Sequence, residues 1–113
     1  MNAEEKVLQI QKEISRYIPM DKFLRLQERL TELRKEEEEK LKALAELQKA
    51  YLAANSDSDR EVVKMTVRKI RELSKLTRTE IRSLTQELSN HMPLSLAHDF
   101  YQRLLEAQAH NPK

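Results

Sequence analysis

No glycine occurs anywhere in the 113-residue chain. Glycine supplies the positive-φ positions on which tight turns depend. A β or α/β domain needs many such turns, so a chain without glycine points to long helices joined by few turns. Charged residues make up 35% of the sequence, apolar residues 39% and aromatic residues 4%. A mixture dominated by Ala, Glu, Lys, Leu and Arg with helical periodicity reads as a coiled coil or helical hairpin. Such a fold buries one stripe per helix. Its core is thin, and a partner or a second copy is expected to supply part of its stability.

The apolar pattern divides the chain into four helical stretches. Val7, Ile10, Ile14 and Tyr17 mark one face of a short first helix that stops before Pro19. Phe23, Leu26, Leu30 and Leu33 open a second seam, interrupted by Glu37 and Lys40, which resumes at Leu44, Leu47 and Tyr51. Val63, Val67, Ile70, Leu73, Thr77, Ile81, Leu84 and Leu88 give a third, and Ala97, Phe100, Tyr101, Leu104 and Leu105 a fourth. The expected helices cover about 4–18, 21–54, 58–90 and 94–109, with His110 in a fraying tail. The fold class is all-α: a long antiparallel helical hairpin with short flanking N- and C-terminal helices, in a single domain over residues 1–113.

The polar run Asn55-Ser56-Asp57-Ser58-Asp59 separates the two long helices. These side chains compete with helix by bonding nearby backbone. Ser58 with Glu61 fits a capping box, and Asn55 is suited to a left-handed C-cap. A loop this short forces the helices antiparallel. Residues whose numbers sum to about 113 then face each other, which sets Glu37 near Thr77 and predicts a polar notch in mid-hairpin, answered by Arg78 or Arg82. A solvated charge run is the plainer reading of residues 34–40.

The sequence also echoes itself. "PMDKFLRLQERL" (19–30) and "PLSLAHDFYQRL" (93–104) each begin with proline, follow an apolar residue (Ile18, Met92) and end in Arg-Leu. Both look like sharp restarts of helix after a turn. This layout resembles the Spy/CpxP family and the related heavy-metal-resistance, or zinc-resistance-associated, periplasmic proteins, which have a short first helix, a long hairpin with a brief polar tip and a final helix. Where that family repeats a Leu-Thr-Pro-x-Gln-like motif, this chain reads "IPMDKF" and "MPLSLA". The resemblance implies a dimeric, ATP-independent chaperone, a stress-response modulator or a metal sensor.

No cysteine is present, which removes disulfides, thiolate zinc sites and cysteine nucleophiles. No Gly-rich phosphate loop, HExxH or supported Ser–His–Asp set occurs, so no catalysis is expected and no cofactor is required. One cluster has the chemistry of a soft or borderline divalent-metal site: His91, Met92 and His98, with Met20 and Asp21 opposite. The plainer reading has the methionines capping the apolar seam. A net charge of only +2, with 21 basic and 19 acidic residues intermixed, argues against a dedicated nucleic-acid binder. No run of apolar residues is long enough to span a membrane.

Two functions from different classes remain. The first is a Spy-like chaperone or envelope- or metal-stress protein that holds unfolded or partner chains on an amphipathic face. Lys64, Arg68, Arg71, Lys75, Arg78 and Arg82 recur at helical spacing and would supply its basic rim, with ordinary solubilising charge as the plainer reading. The second is an intracellular coiled-coil adapter or secretion-type cochaperone that docks a partner helix. Location follows function: periplasmic if a signal segment has been removed, cytoplasmic otherwise. Leu24, Leu41, Leu52 and Leu76 lie off the main seams and are the expected interface of a homodimer.

Overall fold

A computed structural model describes residues 2–109 of the chain; His110 lies outside them. Four helices follow in order: α1 (Ala3–Ser15), α2 (Met20–Ala53), α3 (Asp57–Ser89) and α4 (Leu94–Ala109). The long helices α2 and α3 pack together as an antiparallel hairpin with short helices flanking it, and the described residues contain no strand. The chain divides into two compact units, one formed by residues 1–30 and 83–113, the other by residues 31–82.

The first unit holds the core. Ile10, Ile14, Ile18, Phe23, Leu26, Leu30, Leu88, Met92, Ala97, Phe100, Leu104 and Ala107 are buried in it. Tyr17 tilts against Phe100, and Phe23 meets Tyr101 edge to face. The internal echo has a structural meaning. Each proline carbonyl accepts the first helical hydrogen bond: Phe23 N–H donates to Pro19 at 3.0 Å and Ala97 N–H to Pro93 at 3.0 Å. The missing proline N–H costs nothing at that position. In both segments the residue before the proline and the residues four, seven and eleven after it are buried: Ile18, Phe23, Leu26 and Leu30 in one, Met92, Ala97, Phe100 and Leu104 in the other. That spacing is a helical face.

α1 stops at Ser15, three residues before the expected end. Pro19 pushes its predecessor out of the α region. The chain turns through residues 16–19, with the Ile14 carbonyl accepting from both Tyr17 and Ile18 N–H. Ile18 is thereby delivered to the core as a turn residue rather than a helical one. At its start, the Asn2 side chain caps α1 by accepting from Glu5 N–H at 2.8 Å.

The second unit is two strands of helix and a tip. The tip is residues 54–56, within the expected segment, but its chemistry differs from expectation. Ser56, not Ser58, is the cap: its hydroxyl accepts from Asp59 N–H at 3.1 Å and its carbonyl from Arg60 N–H at 3.1 Å. Asp57 and Asp59 fall in the first turn, where the helix dipole favours carboxylates. Ser58 is one residue inside the helix and unavailable as a cap. Asn55 is not left-handed, since no described residue has positive φ. The last α2 turn is closed instead by Ala54 N–H donating to Tyr51, and the Arg60 guanidinium donates to the Ala54 carbonyl. With three residues and a cationic side chain to satisfy the carbonyl, no left-handed residue is needed.

One seam position is corrected. Leu73 is exposed and Ser74 is buried in its place. The α3 seam row 63, 67, 70, 74, 77, 81, 84 and 88 is buried or half-buried throughout and alternates by four and three, with Arg60, Glu80, Thr85 and Glu87 half-buried beside it. On α2 the corresponding row is 23, 26, 30, 33, 37, 40, 44, 47 and 51. Leu73 breaks that alternation and Ser74 keeps it.

Candidate binding groove of the second unit

At the centre of the second unit the seam is polar on both helices. Ser74 hydroxyl donates to the Glu37 carboxylate at 2.9 Å, and Arg78 Nε donates to the same oxygen at 3.1 Å. Lys40 stands 3.8 Å from the other Glu37 oxygen and donates to the Thr77 hydroxyl. Thr77 in turn donates to the Leu73 carbonyl at 3.1 Å. This is the notch expected from the sequence, with Arg78 rather than Arg82 answering Glu37, and Lys40 as a second cation beside it. Burial works to raise the Glu37 pKa. The Ser74 hydrogen bond, the hydrogen bond and charge of Arg78 and the charge of Lys40 outweigh it, and hold the carboxyl below its ordinary value of 4.5.

Beside this notch the two helices leave an open groove. One part, about 670 Å³, is lined by Leu41, Leu44, Ala45, Leu47, Gln48 and Tyr51 of α2 and by Val63, Lys64, Val67, Arg68 and Arg71 of α3. The adjoining part, about 500 Å³, shares Leu44 and Arg71 and adds Ser74, Lys75, Arg78, Thr79 and Arg82. The structure therefore gathers all six basic residues singled out in the sequence along one groove. Each stands one position after a seam residue: Val63-Lys64, Val67-Arg68, Ile70-Arg71, Ser74-Lys75, Thr77-Arg78 and Ile81-Arg82. The α2 wall is uncharged and the α3 wall is basic. No acidic residue lines either part. A concavity of about 590 Å³ in the first unit is different in kind, since Lys6, Arg103 and Glu106 give it both signs of charge.

The metal candidates differ in burial. Met92 is buried in the core, Met20 and His91 are half-buried, and Asp21 and His98 are exposed. Among the described residues no three His, Asp or Glu side chains gather as a metal site would need. Of the four leucines expected at a homodimer interface, Leu24 is half-buried, and Leu41, Leu52 and Leu76 are exposed. They do not form one stripe. Leu41 lines the groove, and Leu52, eleven residues on, shares its helix face. Leu76 belongs to the opposite flank of α3, where it joins Val62, Met65 and Leu73, all exposed. Sequence reasoning missed Met65 and the exposure of Leu73; the strict four–three alternation was the signal that would have found both.

In comparisons with protein-family models, curated proteins and solved structures, nothing matches this chain. Among the described residues no helix is long and apolar enough to cross a membrane.

Proposed function

We propose that this chain is a non-enzymatic binding protein whose second unit holds amphipathic segments of other proteins, as an ATP-independent chaperone or an envelope- or metal-stress protein of the Spy/CpxP kind would. One observation carries the reading: an apolar floor and a one-signed rim lie side by side in an open groove. Apolar side chains left in a groove rather than in a core mark an interaction surface. The first unit, with almost the whole apolar core, supplies the folding stability that lets the second leave its seam partly uncovered. The polar layers at the notch fit the same division, since buried polar groups in a helical seam fix register more than they add stability.

The test is aggregation of a denatured client protein without ATP, in the presence of this chain or of an Arg68→Glu, Lys75→Glu variant. Suppression by the natural chain and its loss in the variant supports the chaperone reading. Unchanged aggregation counts against it and leaves the second reading, an adapter that docks one partner helix, favoured by the regular helical spacing of the groove walls. A homodimer formed through Val62, Leu73 and Leu76 is a further part of the proposal, because these exposed side chains lie off the groove.

A further inference from the structure

We infer that the natural occupant of the groove is an acidic amphipathic helix of a partner protein, with its carboxylates along one edge only. The inference rests on the reading of the second unit as a binding surface and names what it binds. Arg68, Arg71, Lys75 and Arg82 have no acidic partner among the described residues, while Arg78 is tied to Glu37 and Lys64 to Glu61. Four cations at intervals of three, four and seven residues along one wall repel one another, and an anionic ligand relieves that repulsion.

The opposite wall, with Leu41 and Ala45, offers apolar contact, the amide of Gln48 and the hydroxyl of Tyr51, and no charge. A ligand matching both walls is therefore apolar on one edge and acidic on the other. A helix suits better than an extended chain, because two helix walls provide no ladder of backbone donors and acceptors, and a helix brings its own hydrogen bonds satisfied. From Lys64 to Arg82 the wall rises about 27 Å at about 1.5 Å per residue, the length of a five-turn helix. A second copy of this chain matches less well: on the exposed face of α2, Glu36, Glu38 and Glu39 are flanked by Arg34, Lys35 and Lys42. A nucleic acid fits poorly, since Tyr51 is the one aromatic side chain in the groove lining.

The experiment measures fluorescence anisotropy of labelled helical peptides of about 18 residues with the full chain. One peptide carries a leucine stripe and a glutamate edge, a second replaces glutamate with lysine, and a third keeps the glutamates but scrambles the stripe. The acidic amphipathic peptide is expected to bind at least about tenfold tighter than either companion and to weaken as salt rises. Arg68→Glu with Lys75→Glu should abolish that preference, while Lys69→Glu on the other flank of α3 leaves it intact; circular dichroism confirms that both variants fold. Equal binding of the acidic and basic peptides overturns the inference but spares the binding reading. Equal binding of the scrambled peptide reduces the site to unspecific polyanion attraction and overturns it as well. A single-stranded oligonucleotide that binds more tightly than the acidic peptide overturns it in favour of nucleic acid. If no peptide binds, both the inference and the binding reading fail.

Discussion

Removal of the Glu37 carboxylate should cost more than a surface charge change and less than a core cavity, and the reason is local. The Glu37 side chain is 14% exposed, whereas Arg78 is 63% exposed. The Arg78 ion pair is therefore largely screened and worth roughly 0.2–1 kcal/mol. Ser74 is buried, and without Glu37 its hydroxyl loses a charged acceptor in a nearly dry seam. A hydrogen bond to a charged group contributes roughly 1.5–3 kcal/mol. Glu37→Ala should accordingly destabilise the protein by about 2–4 kcal/mol at neutral pH. Thermal or urea unfolding followed by circular dichroism measures it, and double-mutant cycles divide it. Coupling of Glu37 to Ser74 should exceed coupling to Arg78. The sign with pH follows from the lowered pKa: the folded carboxyl titrates below the unfolded one, so its contribution is full at neutral pH and is lost as pH falls through the ordinary carboxylate range and below. A larger coupling to Arg78 than to Ser74, or no pH dependence lost on Glu37→Gln, would refute this account of the notch.

Other predictions follow from separate parts of the structure. Insertion of a few Gly-Ser residues between Ala54 and Asn55 should change unfolding free energy by well under about 1 kcal/mol, because loop lengthening is cheap, whereas Ser56→Ala should cost about 1 kcal/mol through loss of the cap; urea melts distinguish them. Light scattering at micromolar concentration should give about twice the 13.4 kDa chain mass if the proposed homodimer forms, and Leu76→Glu should lower the dimer fraction where Leu41→Glu does not; a mass of one chain sinks the dimer. If His91, Met92 and His98 hold a divalent ion, zinc should raise the melting temperature and His91→Ala with His98→Ala should remove the rise; no shift in the natural chain ends the metal reading.

Most of the architecture was legible because its signals are local. Prolines at 19 and 93 interrupt helix by a covalent rule, and a glycine-free chain has few ways to turn. The details that escaped depend on competition between neighbours. Ser56 and Ser58 are both competent caps, and the choice goes to the one that also places Asp57 and Asp59 in the first turn. Leu73 attracts attention by hydrophobicity, yet Ser74 takes the seam because Glu37 across the hairpin gives its hydroxyl a partner. Hydrophobicity alone does not see that pairing, but the regular spacing does. The basic row was readable residue by residue. What the sequence left open was that the same row stands against an uncharged α2 wall, since that depends on the packing of two helices rather than on either one.

If other proteins are held in the groove of the second unit, as proposed, a bound client must perturb its two walls. A backbone-amide NMR titration of the labelled chain with an unfolded client tests it most directly. Shift changes are expected on residues 41–51 and 63–82, reduced by Arg68→Glu with Lys75→Glu. Changes confined to α1 and α4 at residues 3–15 and 94–109 would contradict it.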